Sequence, residues 1–326
     1  MQSLGLQGGF SGAIVWHVST PYQDLCLRRW PQVHPTMDGL SSIHGLLLHI
    51  AQAGFCLAPV PLPTLTGKTF FLNEDHLWEL TPWMPGEASY HRQPSYEKLA
   101  SAMTTLADFH RAAATYRFAG TGAHVAPSPG LMQRLEVLQG LQRGELERLW
   151  KETRSAEASD LRELAFELLE GIDHSLGDVK KQIEAIANVP LPLQWCLRDV
   201  RHDHLLFTDE EVTGLIDFGA VAVESVACDL ARLVGSMVND RVDDWLKALG
   251  AYDQRRQLSL DERRAIAGFD AGGTICSATN WVRWLFVEGR SFPQIHALHD
   301  QLVWLRDRLA SLSMRSGASV AKPIGG

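Results

Sequence analysis

One stretch of the chain breaks the pattern around it and limits what the whole can fold into. It reads QWCLRDVRHDHLLFTDEEVTGLIDFGA, residues 194–220, and it interrupts an otherwise helical half. Residues 205–207 are a short apolar strand, 208–211 a polar turn, and 212–216 a second strand that ends at Asp217. Apolar runs flanking a short polar turn predict a hairpin. Asp199 lies in the loop before that hairpin and Asp217 at its exit, so a hairpin brings together two carboxylates that are distant in sequence.

The chain on either side has two characters. Before residue 82 it reads as strands and turns around one helix. Residues 13–18 alternate in a strand-like way after a glycine cluster, and 22–30 form a second strand candidate closed by Pro31. Ile43, Leu46, Leu47 and Ile50 follow the i, i+3, i+4, i+7 spacing of a helix over 40–53, with Gly54 at its end as a C-cap. Residues 69–72 and 77–81 flank a turn at Asn73, Glu74 and Asp75, a second hairpin. The run PWMPGE, 82–87, then breaks the chain with two prolines and a glycine. Beyond it the apolar spacing is helical over 96–114, at 161–172 and at Leu298, Leu302, Leu305 and Leu309. No fixed-period repeat is present.

Composition sets the outer bounds. With 326 residues, 45% hydrophobic and 21% charged, the chain predicts a folded protein of two lobes or domains. Its net charge of −8, without a Lys/Arg run, argues against duplex DNA or RNA and against an anionic membrane surface as partner. The five cysteines are scattered and never form CxxC, which argues against a disulfide framework or structural zinc and favours a cytoplasmic protein. The N-terminus has no secretory pattern, and no apolar run reaches the length of a membrane span.

Two acids at the ends of a hairpin suit metal-assisted phosphoryl transfer. One orients or deprotonates an attacking hydroxyl, and the other holds Mg²⁺ against phosphates whose oxygens share the developing charge. Asp199 is followed five positions later by His204, and Ile216-Asp217-Phe218-Gly219 closes the unit. This segment resembles the aminoglycoside phosphotransferase and choline-kinase-like family of small-molecule kinases, whose motif reads H-G-D-x-x-x-x-N followed by I-D-F-G. Asp229 in ACDLARLVG matches the family's downstream aspartate, LADFHRAAA its leucine–histidine segment, and PWMPGE its hinge.

The resemblance implies a two-lobed, α+β, protein-kinase-like fold. A small β-rich N-lobe would span 1–82 and a larger, mostly α-helical C-lobe 83–326. ATP would lie between the lobes, with adenine near Thr81, Trp83 and Met84 and with Mg²⁺ (or Mn²⁺) as the metal. Asp199 would be the catalytic aspartate, and Asp217 would bind the metal together with His204, which stands at the asparagine position. Gly8, Gly9, Ser11 and Gly12 would belong to the loop covering the nucleotide, since glycines admit the phosphates close to the backbone. Arg28 would contact the phosphates. Arg29 competes for that role, because neighbours on a strand point to opposite faces. The implied reaction moves the γ-phosphoryl group to a hydroxyl of an aminoglycoside, amino alcohol, homoserine or sugar-like molecule.

The sequence departs from the family at three places. Leu197-Arg198 replaces His-Gly before Asp199, and His204 replaces an oxygen ligand with a nitrogen one, although Mg²⁺ prefers oxygen. The 40–53 helix offers Arg28 no glutamate and carries His44 instead, with Asp38 the nearest acid. These departures motivate a second reading, a nucleotide-binding pseudokinase. A third reading is a phosphohydrolase or nucleotidyltransferase using the same acids. Turn capping by Asp199 and Asp217 is the plain structural alternative. Trp281 and Trp284 read as helix core, or else as the aromatic wall of a pocket for a cationic acceptor.

Overall fold

The structure is a computed structural model that describes residues 2–3, 12–292 and 294–319, with 2–3 and 313–319 described by backbone alone. In chain order the strands and helices are β1 (Gln2–Ser3), β2 (Ile14–Ser19), β3 (Asp24–Arg29), α1 (Met37–Gln52), β4 (Phe70–Asn73), β5 (His76–Pro82), α2 (Tyr96–Ala113), β6 (His124–Ala126), α3 (Pro129–Gly140), α4 (Leu146–Ser155) and α5 (Asp160–Ala187). They continue with β7 (Leu191–Cys196), β8 (Leu205–Thr208), β9 (Glu211–Leu215), β10 (Ala222–Glu224), α6 (Ala227–Val238), α7 (Val242–Asp253), α8 (Leu260–Phe286) and α9 (Ile295–Ser319). The early antiparallel sheet followed by helices is the α+β, kinase-like arrangement expected. No helix among the described residues is long and apolar enough to cross a membrane.

The chain forms two compact units. The first comprises Met1–His124, Leu193–Asp229 and Asp243–Gln257, and the second Val125–Pro192, Leu230–Val242 and Leu258–Gly326.

The first unit holds a five-stranded antiparallel sheet in the order β1-β2-β3-β5-β4. The β4–β5 hairpin turns at Glu74 and Asp75, whose positive φ of 48° and 58° gives the backbone twist that a two-residue hairpin needs. Helix α1 starts on Thr36, whose side chain accepts from the Gly39 N–H, and buries Leu40, Ile43, Leu46, Leu47 and Ile50. Helix α2 starts likewise on Ser95. The β8–β9 hairpin is docked on α2 by the Val212 N–H, which donates to Ser101 Oγ at 2.9 Å. The connector after β5 lies along the same hairpin. Glu87 and Phe207 exchange two backbone hydrogen bonds of 2.9 Å, and Thr213 Oγ1 donates to the Pro85 carbonyl at 3.0 Å. Gly86, at φ 95°, is obligatory there, since a Cβ would stand 2.8 Å from the Phe207 carbonyl oxygen.

The second unit is helical. α5 packs against α8 and α9, and α3 and α4 pack against both α5 and α8. The apolar stripe expected at 161–172 continues through Leu176, Val179, Ile183 and Ile186, so α5 runs for 28 residues. Trp281 and Trp284 both lie on α8. Trp281 is buried, and its ring meets Trp284 and Phe292 edge-on at 5.1 Å each, as helix core rather than an open wall. The guanidinium of Arg290 covers Trp284 at 5.0 Å.

Candidate active site

The site lies in the first unit and is built on two scaffolds, the sheet and the β8–β9 hairpin. Alternation along β3 decides between the two arginines. Arg28 pairs across the strands with Glu79 of β5, and Arg29 with Trp78. Arg28 therefore shares the inner face with Glu79, their charged ends 3.5 Å apart. Arg29 lies over the Trp78 ring at 6.0 Å on the outer face.

Arg28, Glu79, Thr81 and Asp217 line one recess of about 310 Å³, walled by Trp30, Ile43, Leu47, Pro59 and Phe218. Three of the expected residues, Arg28, Thr81 and Asp217, are thus brought together. Trp83 is not on this wall: it is partly exposed and its ring meets His17 at 4.5 Å. The Met84 Cβ lies 2.9 Å from where a Cβ on Gly214 of β9 would stand, so this approach needs glycine. Gly12 adopts φ 75°. Gly8, Gly9 and Ser11 lie outside the described residues.

Glu79 is a residue that sequence reasoning did not single out. The sequence finds no glutamate for Arg28 on α1; the partner comes from the neighbouring strand β5. Glu79 Oε2 lies 2.6 Å from His44 Nε2, and His44 Nδ1 lies 2.7 Å from Thr69 Oγ1. Burial alone would raise the Glu79 carboxyl pKa, yet the His44 hydrogen bond and the Arg28 charge outweigh it and hold the group below its ordinary value.

The hairpin positions the acids. The Ile216 N–H donates to the His204 carbonyl at 2.9 Å, which fixes the two ends of the β8–β9 unit beside each other. His204 Nε2 is then 3.6 Å from Asp217 Oδ2 and 3.8 Å from Asp203 Oδ1. Asp203 is engaged elsewhere, since both its oxygens accept from Arg201. Burial opposes ionisation of Asp203, but these bonds and the Arg201 charge prevail and bring its pKa to about 2. Arg201 is the second residue the sequence reading passed over. Burial disfavours its charge, yet Asp203, and after it Asp199 and Asp217, hold its pKa up, so it is a fixed cation among the acids. His202 stacks face to face on His91 with centroids 3.6 Å apart, and burial, then the His91 charge, lowers its pKa to about 4.

Asp217 adopts φ 66°, a left-handed turn that aspartate tolerates, and its Oδ1 accepts weakly from the Gly219 N–H at 3.4 Å. Phe218 turns inward and meets Phe109 of α2 edge-on at 5.9 Å. Gly219 admits the Trp30 ring, which would stand 3.2 Å from a Cβ. The pair Asp217 and His204 offers one carboxylate and one imidazole nitrogen. His204 Nδ1 is buried without a hydrogen-bond partner, so the second bond that usually fixes the tautomer of a metal-bound imidazole is lacking here. Nε2 faces the Asp217 carboxylate, and one oxygen with one imidazole nitrogen is a donor pair better matched to Mn²⁺ or another transition metal than to Mg²⁺.

Asp199 is exposed, and the loop that carries it is fastened from below. Asp229 is fully buried and accepts from the Leu197 N–H at 2.7 Å, from the Arg198 N–H at 2.6 Å and from His110 Nε2 at 3.0 Å. His110 Nδ1 is 2.8 Å from the Tyr252 hydroxyl. His110, Cys196 and Asp229 are close enough to suggest a metal cluster, their ligand atoms all within 4.8 Å. The chemistry argues otherwise. Both Asp229 oxygens are already acceptors, and burial drives the Cys196 thiol pKa well above its ordinary value, so it remains S–H and donates to the Glu224 carbonyl. The cluster is a brace.

Three comparisons place this geometry among known proteins. A spectinomycin phosphotransferase solved with ADP and spectinomycin has a TM-score of 0.63 at 9% identity, over 94% of this chain and 90% of its own. A microcompartment-associated aminopropanol kinase gives 0.64 at 16% identity, over 95% and 91%. An aminoglycoside phosphotransferase from Alicyclobacillus acidocaldarius gives 0.67 at 18% identity, over 97% and 92%. At such identities the likeness is one of fold, and it is the kinase-like fold. No curated protein sequence matches this one. The model of the phosphotransferase enzyme family matches residues 4–269, most of the chain, and the chain belongs to that family.

Proposed function

We propose that the protein is an ATP-dependent kinase that phosphorylates a hydroxyl of a small molecule such as an aminoglycoside, amino alcohol, homoserine or sugar. The observation that carries this reading is the recess in which Arg28, Thr81 and Asp217 converge. Nucleotide-bound proteins of the same fold support it, one of them crystallised in complex with ADP and spectinomycin.

In this reading Arg28 donates to the phosphates from the sheet, with its guanidinium pre-set by Glu79. Asp217 and His204 hold a divalent cation, Mg²⁺ or Mn²⁺, which supplies charge compensation for the phosphate oxygens. Asp199 orients the acceptor hydroxyl and takes its proton as the oxygen bonds to the γ-phosphorus. The bond from that phosphorus to the β-bridging oxygen breaks, and ADP departs. Arg201 keeps the local charge tolerable: three carboxylates lie around it, and its fixed positive charge offsets one of them.

The test is ADP release measured against a panel of amino alcohols, sugars and aminoglycosides, in Mg²⁺ and in Mn²⁺. Acceptor-dependent release that falls about 10²–10⁴-fold in Asp199→Asn is expected, the span typical of a positioned base. Nucleotide binding without turnover under either metal would select the pseudokinase. Undiminished binding of metal–ATP by Asp217→Ala would reject the site itself.

A further inference from the structure

We infer that Glu79 is the positioning residue for Arg28, and that His44, tied in turn to Thr69, holds Glu79 in place. The inference rests on reading the recess as the nucleotide site.

The protons can be assigned from the partners. Glu79 is held ionised, and a carboxylate can only accept hydrogen bonds. His44 Nε2, 2.6 Å away, therefore carries the hydrogen of that bond. In a neutral ring Nδ1 is then bare, and the Thr69 hydroxyl at 2.7 Å donates to it. The second carboxylate oxygen faces Arg28 Nη1 at 3.5 Å. That distance is an ion pair rather than a tight hydrogen bond, so the guanidinium keeps donors for another anion. The Arg28 guanidinium also rests on the Trp30 ring, 4.8 Å from its centroid. Four side chains thus run in series from Thr69 through His44 and Glu79 to Arg28, and the Arg28–Glu79 link joins cross-strand partners.

The arrangement differs in kind from an acid supplied by a helix. An acid on α1 would move whenever α1 moved. Glu79 is fixed to Arg28 by the β3–β5 register, and α1 contributes only the imidazole that orients it. The charge on Arg28 is therefore aimed by the sheet.

Two effects of Glu79→Gln have opposite signs, which makes the inference testable. Removing a negative charge beside the phosphates tightens ATP binding if Glu79 is only a buried counter-charge. Releasing the guanidinium weakens binding if Glu79 positions it, because its order must then be gained on binding. Titration calorimetry of the full chain with ATP and with adenosine separates the two. We expect Glu79→Gln to weaken ATP about tenfold, the low end of what a close charge pair is worth, and to leave adenosine unchanged. In an Arg28→Met background the same change should cause no further loss, since the guanidinium that Glu79 positions is gone. His44→Phe, which keeps a ring but releases the carboxylate, should lower ATP affinity about threefold. If Glu79→Gln folds poorly, Glu79→Asp keeps the charge and withdraws it by one methylene, and it must show a loss in the same direction.

ATP binding that is unchanged or tighter in Glu79→Gln, or a loss that persists in Arg28→Met, overturns the inference. A wild-type protein that binds neither ATP nor adenosine overturns the underlying reading instead, and this inference with it.

Discussion

Asp229→Asn is the sharpest test of how the loop carrying Asp199 is held. The carboxylate receives three donors: two backbone N–H groups, those of Leu197 and Arg198, and the His110 ring. Asparagine has a single oxygen to offer. If that oxygen replaces Oδ2 it keeps Leu197 and His110, and the new NH₂ then faces the Arg198 N–H, donor against donor. If it replaces Oδ1, two donors are abandoned. At least one buried backbone N–H is left without an acceptor, at about 1–3 kcal/mol, and the surviving bonds lose their charge assistance at about 1 kcal/mol each. The expected loss is about 3–5 kcal/mol, in line with removing one member of a buried charged network. Against a total stability of about 5–15 kcal/mol this is severe. Urea unfolding followed by tryptophan fluorescence measures it, and His110→Ala in the same background should add little because both changes cut one network. A loss under about 1 kcal/mol with an unchanged urea slope would refute the claim that Asp229 carries the loop.

Two further outcomes follow from local geometry. Gly86→Ala places a methyl group 2.8 Å from the Phe207 carbonyl oxygen and 2.5 Å from Thr213 Oγ1 at a positive φ, so it should cost at least about 2 kcal/mol; a thermal midpoint unchanged within about 2 °C would contradict this. Acid should weaken the fold through His202, which is neutral in the native protein down to about pH 4 but titrates near 6.5 when unfolded. Between those values the unfolded chain binds the extra proton, so this contribution is complete above pH 6.5 and declines as pH falls towards 4, by about 1 kcal/mol after solvent screening. His202→Gln should flatten that part of the stability profile, and an unaltered pH dependence would show that another group is responsible.

Which parts of the site were legible in the sequence depends on how local their causes are. The β8–β9 hairpin announces itself because its strands are adjacent and its turn is polar. The structure tightens the turn to Asp209 and Glu210, the former at φ 52°. Helix α1 is legible from its apolar spacing, and α5 extends beyond 161–172 because the same stripe continues through Ile186. Glu79 was not legible. Its role exists only because register sets it opposite Arg28, and α1 and β4 intervene between the two strands in sequence. The alternation rule stated that one of Arg28 and Arg29 must point inward, but the choice needed that same register. Asp229 could be matched to a motif, yet its grip on Leu197 and Arg198 is a contact over 31 residues that no periodicity encodes.

The most conspicuous departures from the family motif, Leu197 and Arg198, occur where the structure depends least on side chains. Asp229 takes hold of both residues through their backbone N–H groups, which every residue except proline provides. Leu197 is buried, so in place of the motif histidine it supplies apolar packing. Arg198 adopts φ 66°, the left-handed conformation in which the motif's glycine is free of strain and arginine is not. That strain is about 1 kcal/mol, and the charge-assisted bond from its own N–H to Asp229 is large enough to offset it. The loop can therefore keep its course with a different sequence on it. The departures inside the candidate site itself are of another kind: an imidazole at 204 facing Asp217, and a strand acid, in place of a helix acid, paired with Arg28. Each of these changes the local charge while leaving the backbone that carries it in place.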